Sequence, residues 1–173
     1  MKIVLIGYMG SGKSSVAKHL ATTLNFDKLD LDTVIEDSEG KPITEIFLES
    51  GEIYFRKQEG SLLKEIITTK NNIVLATGGG TPCYGNVMEF LKNQEDVLTV
   101  YLKVSVDLLT KRLTTEKEHR PIISHLKNGA QLNEFIRKHL FERAFYYNQA
   151  LLRLNTDDYS EDEVVEQIVA TLY

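Results

Sequence analysis

Residues 7–14 read Gly-Tyr-Met-Gly-Ser-Gly-Lys-Ser, a match to the pattern G-x-x-x-x-G-K-S/T, and their flanks leave the chain few ways to fold around them. On one side Ile3, Val4, Leu5 and Ile6 form a continuous apolar run, the mark of a strand buried on both faces of a parallel sheet. On the other, Val16, Ala17, Leu20, Ala21 and Leu24 recur at helical spacing from Lys13 onward. Strand, glycine loop and helix in that order are the setting in which the pattern has a mechanism. Gly10, Ser11 and Gly12 let successive backbone N–H groups converge on phosphate oxygens, and the helix start adds its positive dipole end. Lys13 brings a mobile cation, Ser14 a hydroxyl suited to Mg²⁺, and Ser15 closes the candidate nucleotide-binding stretch.

The rest of the composition narrows the partners. A chain of 173 residues, 42% of them hydrophobic, can bury about 70% of its unfolded surface, so one domain over 1–173 needs neither disulfide nor structural metal. Its 20 basic and 25 acidic side chains leave a net charge of -5, which argues against nucleic acid or an anionic membrane and for small molecules. Cys83 is alone and cannot close a disulfide within the chain. Four apolar residues after Lys2 fall far short of a signal-peptide core or a membrane span, so the expected location is the cytoplasm.

Further apolar runs at 73–76, 97–102 and 151–154 read as buried strands, and a second short apolar stretch lies just before Asp30. Between them lie helical patterns at 43–49, 52–70, 87–92, 106–113, 132–150 and 161–172, the last opened by the capping-box pair Ser160 and Glu163. Strands alternating with helices predict an α/β fold of three layers, a parallel sheet with helices on both faces. Residues 114–129, polar and carrying Pro121, form a candidate mobile lid.

A phosphate cradle alone serves a kinase, an ATPase or a GTPase switch. The switch reading is weak: Asp37-Ser38-Glu39-Gly40 follows a helical stretch, and no Asn-Lys-x-Asp element is present to read guanine. Asp30 and Asp32 are expected at the mouth of the sheet, where one acid suits a metal and the other a hydroxyl substrate, although either also fits a helix cap. Arg56 stands in the first turns of a long helix, where Glu52 or Glu59 is within pairing distance. Gly78, Gly79 and Gly80 follow a strand and let backbone approach a ligand. Arg112 precedes the candidate lid, Arg120 lies in it, and Arg137 and Arg143 follow on the next helix, a set suited to anionic substrates. His19, His119, His125 and His139 show no metal-ligand spacing and read as surface residues, while Cys83 reads as structural.

In order along the chain, the glycine loop, Asp30-Leu31-Asp32, Gly51-Glu52 with Phe55-Arg56, Gly78-Gly79-Gly80 and Arg120-Pro121 resemble the shikimate kinase family. The resemblance implies a P-loop NTPase fold with a five-stranded parallel sheet, a substrate-binding segment over about 32–60 and a mobile lid over about 114–129. It implies transfer of the ATP γ-phosphoryl group to the 3-hydroxyl of shikimate by a monomer, with Mg²⁺ as cofactor and no nucleic-acid or membrane partner. By position it makes Lys13, Asp32 and Arg120 catalytic, Ser14 and Asp30 metal ligands, and Arg112 and Arg120 nucleotide contacts alongside residues 10–15. Asp32, Arg56, Gly78, Gly79, Gly80 and Arg143 would bind shikimate. The loop at 155–160 lacks the basic residue that some members place near adenine. The rivals are another small-metabolite P-loop kinase, for gluconate or a nucleoside monophosphate, and a non-catalytic nucleotide-binding regulator.

Overall fold

Strand β1 (Lys2–Ile6) is buried along its whole length, and its alternating side chains divide the interior in two. Ile3 and Leu5 point into a cluster with Val16, Ala17, Leu20, Val164 and Ile168, while Val4 and Ile6 point into a larger one with Leu31, Phe55, Leu63, Tyr101 and Ile136. A strand can be apolar at every position only when both faces are covered, which is why this run does not alternate with polar residues. The computed structural model describes residues 1–116 and 122–173, and within them the sheet has five strands in the order β2-β3-β1-β4-β5, all parallel.

The other strands are β2 (Asp27–Asp30), β3 (Ile73–Ala76), β4 (Val97–Lys103) and β5 (Leu152–Asn155). β3 and β4 flank β1 and carry its apolar character; β2 and β5 are edges and only partly buried, so Asp27, Lys28 and Arg153 are tolerated there. Helices α1 (Lys13–Leu24) and α7 (Glu161–Ala170) cover one face. The other is covered by α2 (Leu31–Glu39), α3 (Ile43–Thr69), α4 (Val87–Lys92), α5 (Val106–Thr114) and α6 (Gly129–Tyr147). The expected three-layer arrangement with a parallel sheet is therefore observed.

Caps explain most boundaries. Ser160 and Glu163 make both bonds of the capping box that opens α7. Asn128 accepts from the Gln131 N–H and starts α6 at Gly129, three residues before the apolar pattern begins. The helix also stops at Tyr147 rather than at Ala150, because the chain turns there and the Leu151 N–H bonds to Thr99 Oγ1 at the start of β5. The patterns at 43–49 and 52–70 belong to one long element broken at Gly51, whose φ of 80° and ψ of 173° suit only glycine. Of the candidate lid, Thr114 ends α5, Gly129 opens α6, residues 115–116 and 122–128 lie between them, and Ile123 is buried in the larger core. Residues 117–121, which include Arg120, lie outside the described residues.

Candidate active site

The carboxyl ends of β1 and β3 lie side by side, and the loops that leave them form two walls of one cavity of about 600 Å³. In open parallel sheets ligands bind at such places, where neighbouring loops run to opposite faces.

The first wall is the glycine loop. Gly12 caps α1 in the left-handed region, at φ 90°, which turns the backbone so that the helix start faces the cavity. Lys13 is almost wholly buried, and its Nζ donates to the carbonyls of Gly7 and Tyr8 at 2.8 and 2.9 Å. The ammonium thus sits at the centre of the loop rather than in solvent. Ser14 Oγ donates to Asp30 Oδ2 at 3.2 Å, while Oδ1 of the same carboxylate accepts from the Asp32 N–H at 3.1 Å. Asp30 thus caps α2 with one oxygen, the alternative left open for it, and faces the phosphate-loop hydroxyl with the other. Ser15 Oγ donates to Glu161 at the start of α7, and Arg112 Nη1 donates to the Gly10 carbonyl at 3.0 Å.

The second wall is the turn at Gly78, Gly79 and Gly80, and what these residues lack matters as much as what they offer. A Cβ on Gly78 would stand 3.2 Å from Asp32 Oδ1, one on Gly79 3.1 Å from Arg143 Nη1, and one on Gly80 2.6 Å from Arg56 Nη2. The three glycines make room for three charged side chains from three helices. The Gly79 position is also only 3.4 Å from the Met9 backbone nitrogen, so the turn packs directly against the phosphate loop. Its carbonyl accepts from the Tyr147 hydroxyl at 2.6 Å.

Asp32 lines the cavity with Lys13, Asp30, Gly78 and Gly79. Burial, followed by repulsion from Asp30 and Glu59 and opposed by Lys13, pushes its carboxyl up to about 6. Arg56 Nη1 donates to Glu59 at 2.9 Å, its Nε lies 3.6 Å from Glu52, and its guanidinium covers the Tyr84 ring at 4.1 Å. Both pairings read from the sequence are thus present together. The cavity brings together Lys13, Asp30, Asp32, Gly78, Gly79 and Arg112, with Gly10 to Ser15 along one side. Arg56 and Arg143 come in beside Gly80 and Gly79.

Several contacts of the site are invisible in the sequence. Glu59 is only 2% exposed, and its second oxygen accepts from Thr81 Oγ1 at 2.7 Å, tying Arg56 to the glycine turn. Charged groups so deeply buried are rare unless paired. His139 is not the surface residue that its spacing suggested: its ring is half buried, bonded to Tyr8, and burial lowers it to about 4. Cys83 fits its structural reading, since burial pushes the thiol up to about 11.

A family model described as shikimate kinase matches residues 9–173. The chain belongs to the shikimate kinase family. It is similar to the shikimate kinase of Flavobacterium psychrophilum, with 44% identity over 172 residues, 99% of each chain. The crystal structure of the family member from Bacteroides thetaiotaomicron superposes with a TM-score of 0.89 at 37% identity, covering 99% of this chain and 98% of that one. The shikimate kinase of Acinetobacter baumannii in complex with shikimate gives 0.85 at 33% identity, covering 99% and 92%.

Proposed function

We propose that this chain transfers the γ-phosphoryl group of ATP to the 3-hydroxyl of shikimate, releasing ADP and shikimate 3-phosphate. Family membership supports the reaction. The observation that carries the reading is the meeting of Asp32, Arg56 and Arg143 around a glycine turn packed against the phosphate loop. One wall suits a triphosphate and the other a hydroxylated carboxylate.

Arg56 and Arg143 would hold the substrate carboxylate, since paired guanidinium groups match its geometry. Asp32 would orient the attacking hydroxyl and take its proton as the new O–P bond forms and the bond to the ADP oxygen breaks. A carboxyl pushed up to about 6 is mainly ionised at neutral pH yet more basic than an ordinary aspartate. Lys13 would neutralise charge on the transferring group, Arg120 would cover the phosphates from the candidate lid, and Arg112 would lie against adenine.

Ser14 Oγ and Asp30 Oδ2, two hard oxygen donors at the edge of the phosphate loop, fit Mg²⁺, which binds few protein ligands and keeps several waters. When bound, the ion would offset phosphate charge and orient the triphosphate. Among the described residues no helix is long and apolar enough to cross a membrane. A monomer working in the cytoplasm, with 32–60 as its substrate-binding segment and 114–129 as its lid, completes the proposal.

The test is Mg-ATP-dependent ADP release with shikimate, gluconate, AMP, CMP or no acceptor. Stimulation by shikimate alone is expected; stimulation by another acceptor, or by none, would overturn the reading.

A further inference from the structure

Tyr8 occupies a position that the phosphate-loop pattern leaves open, yet it is only 2% exposed. A buried phenol needs a partner for its O–H. Here that partner is on α6: Tyr8 Oη lies 2.9 Å from His139 Nδ1, and the two rings meet edge to face at 86° with centroids 5.5 Å apart. Burial raises the phenol well above its ordinary value and lowers the imidazole to about 4, with Arg143 adding to the second shift. At neutral pH the phenol therefore donates, Nδ1 accepts, and the ring proton of His139 sits on Nε2.

Two further ties converge on the same tyrosine. Its carbonyl accepts from Lys13 Nζ at 2.9 Å, and its ring lies 5.9 Å from the Arg143 guanidinium carbon. His139 and Arg143 are four residues apart on α6, so they share a face of the helix. Phe135, one turn earlier, packs against His139 with centroids at 5.2 Å. Tyr8 thus touches the lysine assigned to the nucleotide and the arginine assigned to the acceptor.

We propose that Tyr8 and His139 are a pair of positioning residues that clamp α6, and with it Arg143, to the phosphate loop, so that nucleotide and shikimate binding are coupled through the Tyr8 hydroxyl. The inference rests on the function proposed above. Neither residue is assigned contact with a reacting atom. Order imposed on the loop by the nucleotide reaches Arg143 through one hydrogen bond and one ring face, and linkage makes the effect reciprocal.

The experiment is calorimetric titration of the full chain with shikimate, with and without saturating ADP, for wild type, Tyr8→Phe, His139→Phe, the double variant and His139→Gln. ADP is expected to tighten shikimate binding by about fivefold or more in the wild type, and by less than about twofold in Tyr8→Phe and His139→Phe. The double variant should do no worse than either single, the mark of a shared interaction, and His139→Gln, which retains an acceptor, should recover part of the coupling. Wild-type coupling in Tyr8→Phe, additive losses, or no coupling in the wild type would each overturn the pair. A wild type that neither binds nor phosphorylates shikimate would instead overturn the functional reading and the pair with it. Nitrogen NMR gives a check independent of substrate: His139 should be the neutral Nε2–H tautomer at pH 7, with an Nδ1 signal that moves in Tyr8→Phe. A charged ring or the other tautomer would contradict the proposal.

Discussion

The two walls of the site are built differently. The phosphate loop is made from eight consecutive residues whose backbone does most of the work, with Lys13 folded onto carbonyls within six positions of itself. The second wall, to which the acceptor is assigned in the proposal, is made of side chains from α2, α3 and α6 that meet only because Gly78, Gly79 and Gly80 leave them space. A local device survives on sequence pattern alone, whereas a convergent one depends on every element that delivers a charge.

The sharpest break of the first wall is Lys13→Ala, which should lower kcat/KM by about a thousandfold or more, as loss of a central electrostatic group does. Steady-state kinetics would check it. On the second wall, Asp32→Asn should lower kcat by about a hundredfold or more, with a smaller change in the KM for ATP. In the wild type the acid limb of log kcat/KM against pH should fall near pH 6, where the Asp32 carboxyl takes its proton. A limb at an ordinary carboxylate value would remove Asp32 as the proton acceptor.

Gly80→Ala sharpens the contrast, because its Cβ would stand 2.6 Å and 2.7 Å from the two terminal nitrogens of Arg56. The KM for shikimate should rise about tenfold, with that for ATP nearly unchanged, which initial-rate measurements on both substrates would show. Glu59→Gln, which removes the charge holding Arg56 and keeps the shape, should act in the same direction and more weakly.

The smallest expected effect is on stability. The Asp32 carboxyl is raised from 3.8 to about 6 in the folded chain, so folding takes up a proton between those values. The stability contributed by the neutral form is lost as pH rises through that window. Asparagine mimics the neutral form, and Asp32→Asn should therefore raise Tm by about 2 to 4 °C at pH 8 and by less at pH 5, as scanning calorimetry would show. An equal gain at both values would mean that the ionised carboxylate carries no such cost.

The same contrast governs what could be read before folding. The β1 run, the glycine loop and the Ser160–Glu163 box are short-range patterns, and each has the structure its spacing implies. From spacing the triple glycine was legible only as a place of close approach; the family resemblance, not any local pattern, grouped it with Asp32, Arg56 and Arg143, which come from helices far away in sequence. The Glu59–Thr81 bond spans 22 positions and the Tyr8–His139 bond 131, so neither leaves a periodic trace. Spacing misses the place of His139 for that reason, since it reports metal ligands and helix faces, not a phenol delivered by the loop after β1. The apolar pattern overruns the end of α6 because Ala150, although beyond the helix, is buried in the larger core.

In the proposed reaction Arg56, held by Glu59 beside Gly80, recognises the carboxylate of the acceptor. The most direct measurement compares kcat/KM for shikimate with that for its carboxamide, in the wild type and in Arg56→Ala. The wild type should prefer the acid by about a hundredfold or more, and the preference should collapse to within a few fold in the variant. A preference that survives unchanged in Arg56→Ala would contradict that recognition.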